Sequence, residues 1–254
     1  MDAPDDLGSL GGLDLPLPDA VVRYAAHDDG LVDVHLPAGG SAPVPLVVLF
    51  HGGFWKQAYD RRHTRATACA LAEQGYVVAT PEYRRVGGAG GWPATAEDAD
   101  SAVAAIPGLL AGLGVATAGT TVVGHSAGGH LALWLANQDH PVDRVVGLAP
   151  VADLRAAARA GLGDDATQAL LGGSPEERPA AYDAADPVTR FAERPACEVA
   201  VVHGDLDDVV PLAVSQGLVA AHPFVELHVV EGADHFDVVN PASPAWAAVL
   251  EAIV

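Results

Sequence analysis

Basic residues are scarce in this chain. Thirteen lysines and arginines face 33 aspartates and glutamates, the formal charge is -20, and Lys56 is the single lysine. A phosphate backbone needs a basic face, so no nucleic-acid partner is expected. The acidity reads instead as a well-solvated surface. Cysteine is nearly absent: Cys69 and Cys197 stand alone in apolar segments, which excludes a disulfide framework and a zinc motif. No carboxylate–histidine spacing suggests another metal, and neither metal nor cofactor is expected. Apolar runs stay far below the roughly 20 residues of a membrane-crossing helix. The chain opens Met1-Asp2-Ala3-Pro4-Asp5-Asp6, acidic where a secretory leader is basic. A reduced, cytoplasmic protein without a membrane partner is the expectation. Oligomeric state is not legible.

Half of the 254 residues are hydrophobic, enough for one large core. Residues 1–19, rich in Gly, Pro and Asp, read as a flexible leader to a single domain over 20–254. Segments 20–26 and 31–36 flank Asp28-Asp29-Gly30 and predict a hairpin closed by an Asp-Gly turn. Continuous apolar runs follow at 46–50, 76–79, 121–123, 145–149, 199–202 and 225–230, as in strands buried on both faces. Helix-like stretches at 61–74, 95–110, 127–137, 212–221 and 244–253 alternate with them. That alternation predicts an α/β fold with a mostly parallel sheet and helices on both faces. Residues 151–195, rich in Ala, Gly and Asp with short helical pieces, read as a small lid or a plain solvent-side connection.

One apolar run leads into Gly124-His125-Ser126-Ala127-Gly128 and a helix-compatible stretch leaves it. A strand that reverses into a helix this abruptly projects the central side chain from a strained turn, and small neighbours make the turn sterically feasible. Ser126 is the candidate nucleophile. A serine hydroxyl needs a histidine base, and the base needs a carboxylate to hold its tautomer. Such partners follow later strands in the order Ser, Asp, His. Run 199–202 leads into His203-Gly204-Asp205-Leu206-Asp207-Asp208, and run 225–230 into Glu231-Gly232-Ala233-Asp234-His235. His235 is the candidate base. Asp207 is chosen by its spacing from Gly204 and Pro211, with Asp205 and Asp208 still open. Run 46–50 ends in His51-Gly52-Gly53-Phe54-Trp55, where glycines let backbone N–H groups turn inward. Gly53, Phe54 and Ala127 are assigned to the oxyanion hole. Phe54 and Trp55 divide evenly between core packing and a substrate pocket. His51 is read as a brace for its own loop, His125 and His130 as structural neighbours of the nucleophile. Arg84 is read as a structural partner of Asp98 or Asp100.

With these motifs in order, the chain resembles the α/β-hydrolase superfamily over nearly all of its length after residue 20. Gly124-His125-Ser126-Ala127-Gly128-Gly129 and Glu82-Tyr83-Arg84 look like the hormone-sensitive-lipase-like carboxylesterases. Those usually carry a third glycine where Phe54 stands. His51-Gly52-Gly53-Phe54-Trp55 is instead similar to the HGGxW pattern of kynurenine formamidases. The resemblance implies a cofactor-free serine hydrolase acting on a small-molecule ester or activated amide: a carboxylesterase, or an arylformamidase cleaving N-formylkynurenine. Acyl transfer at the same site is a third reading. A non-catalytic receptor on this fold is a fourth, disfavoured because His235 is present.

Overall fold

A computed structural model describes residues 17–39 and 43–254, so the leader expected over 1–19 falls almost wholly outside the described residues. The sheet begins with β1 (Ala20–Arg23) and β2 (Leu31–His35), which pair antiparallel with Arg23 opposite Leu31. The predicted hairpin exists, and Asp28 and Asp29 do form a turn, closed by the Gly30 N–H donating to the His27 carbonyl (3.0 Å), but it sits at the tip of a longer loop. Residues 24–30 form this loop, and its side chains tie it to the body of the protein: Tyr24 donates to the Glu82 carbonyl (2.8 Å), His27 lies 3.2 Å from Asp98, and Asp29 accepts from Arg85 (2.7 Å).

The apolar runs become β3 (Val44–Phe50), β4 (Val77–Pro81), β5 (Thr117–His125), β6 (Arg144–Leu148), β7 (Glu198–Gly204) and β8 (Glu226–Val230). The strand order is β1-β2-β4-β3-β5-β6-β7-β8, and every pairing from β4 to β8 is parallel. This is the α/β-hydrolase sheet. The apolar residues 46–50 of β3, 77–79 of β4, 122–123 of β5, 145–148 of β6 and 199–202 of β7 are buried. β8 departs from the sequence reading: it is half exposed rather than buried on both faces, because it is the last strand and has a neighbour on one side only.

Helices cover the sheet. They are α1 (Arg65–Glu73), preceded by a 3-10 turn at Arg61–Thr64, then α2 (Ala94–Gly112) and α3 (Ala127–Leu135). After β6 the segment 151–195 folds into four short helices, α4 (Leu154–Arg159), α5 (Leu162–Leu171), α6 (Pro179–Ala185) and α7 (Pro187–Arg190). Two more, α8 (Leu212–Ala221) and α9 (Trp246–Ile253), complete the set. Two apolar clusters lie on opposite faces of the sheet: one gathers α2, α3 and the 151–195 helices, the other α1 and α9. Among the described residues no helix is long and apolar enough to cross a membrane.

Candidate active site

Ser126 sits where β5 turns into α3, at φ 55° and ψ -115°. Positive φ is costly for a residue with a Cβ and persists only where its surroundings enforce it. Here the Ser126 N–H donates to the Leu148 carbonyl (2.8 Å), while its own carbonyl accepts from His130 (3.0 Å) and Val151 (3.2 Å). Close packing completes the constraint. A Cβ at Gly124 would lie 2.0 Å from the Gly128 carbonyl oxygen, and one at Gly128 would lie 2.3 Å from that of Phe50. Although Ser126 occupies the N-cap of α3, its side chain caps no helical N–H. That leaves Oγ free of the role serine usually plays there.

The strands bring Asp207 and His235 together from 28 residues apart. His235 Nδ1–H donates to Asp207 Oδ2 at 2.7 Å, with both side chains buried. Asp207 Oδ1 accepts from the N–H groups of Val209 (2.9 Å) and Val210 (2.7 Å). The other carboxylates of this loop are used differently: Asp205 accepts from Gly232 N–H (2.6 Å), and Asp208 is exposed. Burial alone would raise the Asp207 carboxyl. Hydrogen bonds from His203 and His235, the His235 charge and the Val210 N–H outweigh it and hold the group well below the usual carboxylate range.

His203 is a participant that the sequence reading passed over. Its ring is fully buried, with Nε2–H donating to the Val210 carbonyl (2.8 Å) and lying 3.1 Å from Asp207 Oδ2. Ser215 Oγ–H donates to its Nδ1 at 2.7 Å. The available signal was a histidine closing an apolar strand four residues before a carboxylate.

After β3, Gly53, Phe54 and Trp55 have φ of 102°, 50° and 55°. These consecutive positive φ values make a tight left-handed turn, closed by the Lys56 N–H donating to the Gly53 carbonyl (2.9 Å). Gly53 admits nothing larger, since a Cβ there would meet Tyr59 at 2.5 Å. Among the described residues none accepts a hydrogen bond from the N–H of Gly53, Phe54 or Ala127. The loop closes on Ser126, because a Cβ at Gly52 would lie 3.2 Å from Ser126 Cβ. His51 braces it, stacked on Tyr83 at 4.3 Å, with Nε2 2.7 Å from Glu82 Oε1 and Nδ1 2.8 Å from the Gly52 carbonyl. Trp55 lies wholly in the core, edge-on to His130 at 5.2 Å. Phe54 is half-buried against the 151–195 segment, where a Cβ at Gly163 would come within 2.6 Å of its ring. Arg84 pairs with Asp98 (2.6 Å), whereas Asp100 accepts from His140 (2.8 Å). Among the described residues no three His, Cys, Asp or Glu side chains are grouped to hold a metal ion.

Residues 32–221 match the BD-FAE family. A kynurenine formamidase of Danio rerio is 30% identical over 118 residues, which is 46% of this chain and 38% of that protein; the match thus spans well under half of the relative. Solved structures add the fold. Esterase B from Lactobacillus rhamnosis superposes with a TM-score of 0.78 at 20% identity, covering 97% of this chain and 89% of its own. A truncated carbohydrate esterase from gut microbiota gives 0.75 at 19% identity, over 87% and 92%. A putative thioesterase from a Silicibacter species gives 0.73 at 24%, over 98% and 88%.

Proposed function

The chain belongs to the BD-FAE family, and from that premise we propose that it is a serine hydrolase of small carboxylic esters working through an acyl-enzyme. One observation carries the reading. A buried carboxylate holds a histidine imidazole whose ring lies 4.7 Å from that of His125, the residue directly before a serine whose backbone is strained and whose hydroxyl caps nothing. In the reaction Ser126 Oγ attacks the ester carbonyl and His235 Nε2 takes its proton. Asp207 fixes the tautomer, since its bond to Nδ1–H leaves Nε2 as the base, and its charge stabilises the imidazolium that forms. The N–H groups of Gly53, Phe54 and Ala127 receive the oxyanion. His235 returns the proton to the leaving alcohol, then activates water to release the acid.

Ser126→Ala is expected to reduce hydrolysis of p-nitrophenyl acetate to below a few per cent, by the logic of triad deletions, with an unchanged circular dichroism spectrum. A fluorophosphonate should label wild type at Ser126. Substantial residual turnover in the variant, or an unlabelled wild type, overturns the proposal.

The HGGxW loop and the kynurenine formamidase similarity favour a second reading, hydrolysis of N-formylkynurenine. The chemistry is the same, with an aryl amine leaving in place of an alcohol. Comparing kcat/KM for N-formylkynurenine with that for p-nitrophenyl acetate separates the two, and a negligible formamidase rate removes the second.

A further inference from the structure

We infer that His125, the residue before the nucleophile, is a positioning residue that seats the His235 loop over Ser126. The inference rests on the serine-hydrolase reading. His125 and His235 are 110 positions apart, yet His125 Nε2–H donates to the backbone carbonyl of His235 at 3.0 Å. The two rings lie 4.7 Å apart at 47°, and the Phe236 ring lies 6.1 Å from that of His125. The opposite edge of the ring faces the oxyanion loop, since a Cβ at Gly52 would stand 2.9 Å from His125 Nδ1. One buried imidazole thus touches the loop carrying the base and the loop carrying two oxyanion donors, while its own backbone leads directly into the nucleophile.

The need for such a tie follows from the sheet. His235 is carried by a loop after β8, the half-exposed edge strand, so strand packing alone holds it weakly. The bond from Asp207 orients the ring, and the Gly232 N–H is held by Asp205 (2.6 Å). Both of these come from the neighbouring loop after β7. His125 supplies the connection from the nucleophile strand itself, which sets the distance between Nε2 of His235 and Oγ of Ser126. Proton transfer works over a narrow range of about 2.6 to 3.2 Å, and an error near 1 Å costs about 100-fold.

The chemical type of the residue also fits. Positive charge forms on His235 as Ser126 attacks, so a cation stacked beneath it would oppose the reaction. Burial, reinforced by the neighbouring His235 charge, keeps His125 neutral, with its titration well below the usual histidine range. A neutral donor of this reach is what the site requires, and glutamine reproduces it. Phenylalanine keeps the ring and loses the donor. Asparagine keeps the amide but is too short to reach.

The experiment compares wild type with His125→Gln, His125→Asn and His125→Phe, using p-nitrophenyl acetate kinetics, the rate of fluorophosphonate labelling of Ser126, and thermal melts. The Phe and Asn variants should lose kcat about tenfold or more with KM within about threefold, and the Gln variant should stay within about threefold of wild type. Labelling rates should follow kcat. If the Phe variant fails to fold, the Gln and Asn pair decides. A Gln-to-Asn ratio in kcat below about three, or a loss confined to KM, overturns the inference. An unlabelled wild type overturns the hydrolase reading and the inference with it. A labelled wild type whose Asn variant labels equally fast overturns the inference alone.

Discussion

Gly128 shows how little space the turn at Ser126 contains. A Cβ there would lie 2.3 Å from the Phe50 carbonyl oxygen and 2.4 Å from that of His51, both rigid backbone atoms where β3 runs into the 51–55 loop. Gly128→Ala therefore forces α3 away from β3. It should cost about 3 kcal/mol of stability, the upper part of the range for overpacking, and lower kcat because both Ser126 and the His51 loop move. Gly217 is the contrast. It lies in α8, and a Cβ there meets nothing within 4 Å. Gly217→Ala should stabilise the fold by about 0.5 to 1 kcal/mol through helix propensity and a less flexible unfolded chain. Urea unfolding of both variants tests the pair; equal effects would refute the packing argument.

At the scale of elements, the contact that matters is between the 51–55 loop and the start of α5. Gly163, Asp164 and Asp165 have φ of 62°, 55° and 57°, and this left-handed turn presents Gly163 to the Phe54 ring. The Phe54 N–H belongs to the proposed oxyanion hole, so the 151–195 segment and the 51–55 loop share a wall. Gly163→Ala should lower both stability and kcat, and part of that loss is backbone strain unrelated to Phe54. A double-mutant cycle with Phe54→Ala removes that part. The Gly163→Ala penalty should shrink by about 1 kcal/mol when the ring is absent. Strict additivity would mean that the two elements do not communicate.

Much of this arrangement was readable from residue order, because unbroken apolar runs and the motifs after them are local features. The elbow serine, the carboxylate after β7 and the histidine after β8 belong to that class. What escaped depends on which elements become neighbours. The exposure of β8 follows from its place at the sheet edge, and the choice of Asp98 over Asp100 for Arg84 follows from how α2 is turned against β4. His203 and His125 escaped for the same reason. Their partners lie across the loop at the end of β7 or 110 residues away, and spacing alone carries no sign of the hydrogen bonds that occupy them.

For the molecule as a whole, acid tolerance depends on histidines that fold without charge. Burial pushes His63 and His130 down to about 4, and His125 lower than the usual range. In the unfolded chain each titrates near 6.5. Between about pH 6.5 and 4 the unfolded state thus binds more protons, and stability falls as the pH drops through that window. Asp207 contributes nothing there, since its depressed carboxyl stays ionised in both states until the pH nears 4. Asp186 acts in the opposite sense. Burial, with Asp153 nearby, raises it to about 6, so its protonation favours the folded state as the pH falls. With His35, also lowered by burial, four histidines act against one aspartate, and the histidines dominate. His130→Gln isolates one of them, because an amide can still donate to the Ala185 carbonyl that His130 Nε2 meets at 3.0 Å. Between pH 7.5 and 4.5 this variant should lose about 2 to 3 kcal/mol less stability than wild type. Urea unfolding at the two pH values measures the difference, and parallel losses would show that His130 is already charged in the folded protein.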